Sequence, residues 1–243
     1  MLPLLTVDAL SKRFGALVVT ENISFSVEAG EALGIVGPNG AGKTSLLNLI
    51  AGDIRPDDGT VIFDGRDITR LSADSRCHLG IGRTSQIPRP FGGLTVFENV
   101  LVGASFGAGD RITGSREAAA ADALERTGLL PRANVLAGSL TLLERKRLEL
   151  ARALAIRPRL LLLDEIAGGL IEGEVLALVD TIKEIHASGV AVVWIEHIVH
   201  ALIRVVDRMQ AIDSGRKLID GEPNAVMASE EVRSVYLGAD VAR

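Results

Sequence analysis

Gly37-Pro38-Asn39-Gly40-Ala41-Gly42-Lys43-Thr44 fills every fixed position of the pattern G-x-x-x-x-G-K-[ST]. The string specifies a geometry as well as a composition. Its glycines let consecutive backbone N–H groups turn inward as a nest for phosphate oxygens, and the chain enters a helix at Ser45 just beyond. Lys43 adds a point charge for the β- and γ-phosphates, and the Thr44 hydroxyl is placed to ligate Mg²⁺. Ala32-Leu33-Gly34-Ile35-Val36 ahead of it suits a buried strand. Ser45-Leu46-Leu47-Asn48-Leu49-Ile50-Ala51 behind it reads as a helix whose positive end faces the anion. A glycine-rich turn without a nucleotide is the plainer alternative, and the order strand, loop, helix argues against it. The expectation is a nucleoside triphosphate site.

Working outward, 243 residues suit one large α/β unit or two small ones and bury a sizeable core. Hydrophobic residues make up 47% and aromatics only 3%, so aliphatic side chains do the packing. A net charge of −5 offers no global basic field for nucleic acid. Cys77 is the single cysteine, which excludes an internal disulfide and fits a reducing compartment. No apolar run approaches the ~18 residues a spanning helix needs. Met1–Asp8 lacks a basic n-region and a cleavage site, so a soluble chain that meets membranes only through a partner is expected.

Strand character covers Leu4–Val7, the alternating Ile23-Ser24-Phe25-Ser26-Val27 and Gly59–Gly65. From about 95 to 155 the pattern turns helical, with Glu117–Arg126 and Leu140–Ile156 in helical period and Gly107–Gly114 as a surface loop. Leu160–Leu163 and Val190–Ile195 are apolar strands. The helix Glu174–His186 between them puts Val175, Leu178, Val179, Ile182 and Ile185 on one face, making a βαβ unit of a parallel sheet. No internal repeat or low-complexity tract is visible.

Asp164-Glu165 ends the strand 160–163. In a nucleoside triphosphatase an Asp here holds Mg²⁺ and a neighbouring Glu orients or deprotonates the attacking water. A helix N-terminal charge pair is the blander reading, weakened by the complete phosphate loop. His197 and His200 lack the third and fourth ligands of a zinc site. Arg145-Lys146-Arg147 reads as a solvated helix face, with no interleaved aromatics to suggest nucleic acid.

With these motifs in order, the chain resembles the ATP-binding subunits of ABC transporters over nearly all its length. Arg83-Thr84-Ser85-Gln86 resembles the Q-loop, with Gln86 at the glutamine position, and Ile195-Glu196-His197 ends a strand as the switch-histidine segment does. Lys12-Arg13-Phe14-Gly15 puts Phe14 where the family stacks an aromatic on adenine. Thr95–Val100 resembles the start of the helical subdomain, and Leu140–Leu154 the signature segment and its helix. The resemblance implies an α/β fold: a P-loop NTPase core with a mixed, largely parallel sheet, an N-terminal antiparallel β subdomain and an inserted α-helical subdomain. It implies a single nucleotide-binding domain over 1–243, with roughly 88–155 as the helical subdomain.

By the same resemblance Glu165, His197 and Gln86 are catalytic, and Thr44, Gln86 and Asp164 hold Mg²⁺. ATP is bound by Phe14, Gly37, Pro38, Asn39, Gly40, Ala41, Gly42, Lys43, Thr44 and Ser45, and Thr141 of the signature contacts the partner's ATP.

Departures from the family pattern fall in one class. The signature Leu-Ser-Gly-Gly-Gln stands here as Leu140-Thr141-Leu142-Leu143-Glu144, so both glycines are leucines. Ile166 replaces the usual proline after the catalytic Glu, and Ile171 replaces the aspartate of the next loop. These groups are offered to a partner's ATP or to the dimer seam, whereas those acting on this chain's own ATP are intact. The expectation is a heterodimer with two unequal sites, with a homodimer as the alternative.

Finer resemblance, through residues 83–86, 91–100 and the tail Val232–Gly238, is to the importer branch for branched-chain amino acids. It implies a second ATPase subunit, two integral-membrane permeases and, indirectly, a solute-binding protein, with this chain peripheral on the cytoplasmic face of the cell membrane. A lipopolysaccharide-type exporter ATPase or an iron–sulfur assembly ATPase is the alternative.

Overall fold

Alternation along the central strands decides how the layers stack. In β3 (Ala32–Val36), Ala32 and Val36 face one core while Leu33 and Ile35 face another. The same split recurs in β7 (Leu160–Asp164) and β8 (Ala191–Ile195): Leu161, Leu163, Val192 and Trp194 on one side, Leu160, Leu162, Ala191, Val193 and Ile195 on the other. A sheet buried on both faces reads as continuous apolar runs, as these strands do.

The computed structural model describes the backbone of residues 2–107 and 114–241, with side chains through Tyr236. An antiparallel sheet is built from β1 (Leu5–Phe14), β2 (Leu17–Val27), β4 (Asp58–Phe63) and β5 (Arg66–Asp67), in the order β2-β1-β4-β5. A six-stranded sheet runs β10-β9-β3-β8-β7-β6, with β6 (Ile81–Arg83), β9 (Arg208–Asp213) and β10 (Arg216–Gly221); only β10 is antiparallel to its neighbour. Helix α1 (Lys43–Ala51) lies between the two sheets, with Leu46, Leu47, Leu49 and Ile50 fully buried.

Helices α3 (Val96–Phe106), α4 (Arg116–Arg126) and α5 (Leu142–Ala155) pack on one another between β6 and β7, after the short α2 (Ala73–Leu79). Thr95 caps α3 and Thr141 caps α5, each in a reciprocal capping box with the Glu three residues on. The βαβ unit β7–α6–β8 forms as expected: α6 (Glu172–Ala187) buries all five anticipated residues, and β7 pairs parallel with β8. The chain closes with α7 (Val199–Ile203), α8 (Pro223–Ala228) and α9 (Glu230–Val241). Six of the eight residues of the expected 107–114 loop, 108–113, lie outside the described ones.

Several elements go beyond the sequence reading. β1 and β2 extend well past the expected segments, and β6, β9 and β10 were not anticipated. The β9–β10 turn is two residues, Ser214 (φ 48°) and Gly215 (φ 77°), and the β4–β5 turn is Asp64 (φ 51°) and Gly65 (φ 74°). Left-handed φ at both central positions is what tight hairpins with right-twisted strands require.

Candidate active site

The phosphate loop leaves β3 at Val36 and enters α1 at Lys43. Two of its glycines are sterically required. A Cβ on Gly42, at φ 95°, would stand 2.0 Å from the Val19 carbonyl oxygen, and one on Gly37 would stand 2.1 Å from that of Ile212. The cleft beside the loop is lined by Leu17, Val19, residues 39–45 and Glu165. Lys43 is buried, and its Nζ donates to Gly37 O (2.8 Å) and Pro38 O (2.9 Å). Burial pushes its ammonium pKa down, opposed by Glu165 and then Asp164.

Asp164 ends β7 beneath this loop, 1% exposed. Its Oδ1 accepts from Thr44 Oγ1 at 3.2 Å and its Oδ2 from Arg83 Nη2 at 3.3 Å; Arg83 also holds Asp53. Burial raises the Asp164 carboxyl above the ordinary range, and Arg83 is the chief opposing influence. Thr44 and Asp164 thus form a pair of hard oxygen donors. Mg²⁺ fits such a pair, because it is characteristically held by one or two protein oxygens alongside substrate phosphates. Among the described residues no group of three or more His, Cys, Asp or Glu is gathered to hold a metal ion by itself.

Glu165 follows with a left-handed backbone, φ 46°. Its N–H donates to Ile195 O (2.9 Å). Its carboxylate is gripped from two sides: Gln86 Nε2 donates to Oε2 at 2.5 Å, and His197 Nε2 lies 2.6 Å from Oε1. Residues 120 positions apart, from Thr44 to Asp164, and the glutamine and histidine of two further loops therefore converge at the C-terminal ends of the parallel strands. Open α/β sheets bind ligands at that edge.

Phe14 is half-exposed at the end of β1, with Lys12 Nζ 5.3 Å from its ring centre, and it is not among the residues lining the cleft. Thr141 is exposed, and its hydroxyl accepts from Glu144 N at 3.3 Å as the cap of α5. Leu142 opens α5 on the surface at 43% exposure, its Cδ2 placed 3.2 Å from where a Gly169 Cβ would stand; Ile171 is 72% exposed close by in sequence, and Ile166 is fully buried.

One sequence reading is overturned: Lys146 is not on a solvated face. It is 3% exposed, and its Nζ donates to Gln86 O (3.0 Å) and Glu165 O (3.3 Å). Helical period would have shown it, since position 146 lies four residues before the buried Leu150. Glu196 carries a role that the sequence pattern does not show. It is 1% exposed and accepts from Ala167 N (2.7 Å) and His197 N (3.0 Å), and burial raises its pKa against those bonds. Tyr236 of α9 was also missed: its hydroxyl accepts from Gly37 N at 3.0 Å, tying the C-terminal helix to the start of the phosphate loop.

The model of the ABC transporter family matches residues 20–168, which span the phosphate loop and Asp164-Glu165. The chain is an ATP-binding cassette of the ABC transporter family. The cassette is 34% identical over 250 aligned positions to the high-affinity branched-chain amino acid transport ATP-binding protein LivG of Salmonella typhimurium, covering 97% of this chain and 98% of that protein. It is 33% identical to the lipopolysaccharide export system ATP-binding protein LptB of Haemophilus influenzae, covering 97% of each. A solved ATP-binding cassette of an ABC transporter in its ADP conformation superposes with a TM-score of 0.89 at 28% identity, over 98% of this chain and 100% of that one. The fold is the α/β P-loop cassette the sequence led us to expect, and the chain is an ATPase.

Proposed function

We propose that the cassette hydrolyses ATP at its own phosphate loop to drive an importer of branched-chain or related amino acids. The observation that carries the catalytic part is the Glu165 carboxylate, held between Gln86 and His197 beside the cleft of the phosphate loop. The loop amides and Lys43 receive the phosphates, with the α1 N-terminus directed at them. Thr44 and Asp164 would hold Mg²⁺, which when bound neutralises charge on the β- and γ-phosphates. Glu165 orients the attacking water and takes its proton, and His197 steadies Glu165 and faces the γ-phosphate side. Gln86 links the carboxylate to the helical layer, so that closing and reopening of the clamp is felt at Glu165.

Importer membership is supported by the near full-length similarity to LivG. The similarity to LptB supports a second reading, a lipid-exporter ATPase, at almost the same identity. In either case the cassette acts with two permease subunits from the cytoplasmic face of the membrane. Among the described residues no helix is long and apolar enough to cross a bilayer.

The second cassette of the pair is a different chain. Its support is the exposed Leu142 and Ile171, apolar side chains where the family offers glycine backbone and an acid. A Cβ at the start of α5 holds a γ-phosphate away from the helix amides.

Vesicles containing the cassette with its permease subunits, given ATP inside and a solute-binding protein loaded with radiolabelled leucine outside, test the importer reading. ATP-dependent leucine accumulation is the expected result. No uptake of leucine or of any other amino acid, with ATP-dependent extraction of lipid instead, would replace it with the exporter reading.

A further inference from the structure

Lys146 presents a problem that packing does not solve. It sits on α5, one of the three stacked helices, and is 3% exposed, yet among the described residues its terminal ammonium contacts no carboxylate by hydrogen bond. Taking an ammonium out of water costs several kcal/mol, and a Leu or Met would fill the same helix position without that cost. Acidic neighbours offset part of it: Glu196 is the strongest influence holding the ammonium charged, followed by Glu165, Asp164 and Glu149, although burial still wins and lowers its pKa.

What the ammonium gains is a pair of main-chain carbonyls, those of Gln86 and Glu165. These two residues are also joined through their side chains. Lys146 therefore closes a ring that runs from its Nζ to the Gln86 backbone, along the Gln86 side chain to the Glu165 carboxylate, and back through the Glu165 backbone. Glu165 has a left-handed φ of 46°, a conformation that costs a non-glycine residue about 1 kcal/mol or more and persists only where the surroundings hold it. On the far side Glu196 fixes the next turn through Ala167 N.

We propose that Lys146 is a positioning residue for the hydrolytic step: its ammonium locks the backbones of Gln86 and Glu165 together, and so aims the Glu165 carboxylate. The reach is short. At 3.0 and 3.3 Å, a shift of α5 by about 1 Å takes both contacts out of hydrogen-bonding range. The helix carrying the signature segment is in this way tied directly to the base that acts on the chain's own ATP.

This inference rests on the reading of Glu165 as the base, and the test separates the two. Lys146→Met, Lys146→Gln, Lys146→Arg and Glu165→Gln are compared in whichever assembly the wild-type chain hydrolyses ATP, with binding followed by a fluorescent ATP analogue. Lys146→Met is expected to lower kcat about 10- to 100-fold, the scale of an ångström's misplacement of a reacting group. The dissociation constant for the analogue stays within about twofold, because the lost contact acts after binding. Lys146→Gln, with one neutral amide donor, gives an intermediate kcat. Lys146→Arg, whose donors reach both carbonyls, regains most of it.

Wild-type kcat in Lys146→Met or Lys146→Gln, with Glu165→Gln inactive, overturns the inference and leaves the Glu165 reading intact. Binding and turnover falling in parallel in every Lys146 variant, Lys146→Arg included, also overturns it, by making Lys146 a general prop of the fold. Undiminished hydrolysis by Glu165→Gln would remove the reading on which the inference stands. Should Lys146→Met fail to fold, the Gln and Arg variants decide between these outcomes.

Discussion

At the scale of single residues the proposed chemistry turns on two adjacent carboxylates in unlike surroundings. Glu165 is partly open to the cleft and bonded to Gln86 and His197, whereas Asp164 is closed in and bonded to Thr44 and Arg83. General base catalysis contributes about 10²–10⁴-fold, so Glu165→Gln should bind ATP normally and turn over at least about 100-fold more slowly. Phosphate release and analogue binding check this, and turnover near the wild-type rate would exclude Glu165 as the base.

Asp164 gives a stability prediction with a definite sign. Its folded carboxyl pKa is raised by burial, so the folded state resists ionisation more than the unfolded chain does. That handicap is absent below the unfolded value, grows as pH rises from there, and is fully present above the folded value. Asp164→Asn should therefore raise Tm by more at about pH 8 than at about pH 3, below the unfolded carboxyl value, as thermal melts at the two pH values will show. A gain that shrinks with pH would mean that Arg83 outweighs burial. The pair was legible as sequence because a strand ending in two acids after a phosphate loop is a rare local pattern. Lys146 was not, since a cation in a run of cations looks solvated until the helix is rotated into place.

Among the elements, α1 is the one whose placement matters most, and its C-terminal end is held by an unexpected residue. Arg76 of α2 is 1% exposed, and its guanidinium donates to Leu49 O, Ile50 O, Leu71 O and Thr69 O. A cation on the last carbonyls of a helix is favoured by the helix dipole. Burial nonetheless lowers its pKa to about 10. Arg76→Met should cost about 2–4 kcal/mol, because it strands several buried acceptors. In a chain of this size that is roughly 5–10 °C in Tm by calorimetry, and a Tm unchanged within error would deny Arg76 this role.

The helical segments 117–126 and 174–186 were readable because amphipathic period survives in one dimension. Three-residue β6 and the extensions of β1 and β2 were not, since their pairing is supplied by distant strands. The hairpin of β9 and β10 carried a usable signal in Asp213-Ser214-Gly215 that the sequence reading passed over.

On the scale of the whole molecule, the proposed division is that one chain supplies half of two different sites. Lys43, Thr44, Gln86, Asp164, Glu165 and His197 converge on its own phosphate loop, while Thr141, Leu142 and Ile171 lie exposed on the surface that would meet a partner. The intact half was visible from motif order alone. The altered half was visible as departures from a pattern, but only the structure shows Leu142 exposed at the start of α5 and Thr141 committed to its cap. The proposed unequal pair rests on this division: this cassette would contribute the working base and the other cassette the working signature.

The most direct test is ATP hydrolysis by the purified cassette alone and mixed with a second cassette, where one is encoded nearby, with Glu165→Gln introduced into this chain only. The account predicts little activity alone, strong stimulation on mixing, and loss of that stimulation in the variant. Equal activity alone and mixed would show that Leu142 and Leu143 serve as a working signature, and would contradict the unequal pair.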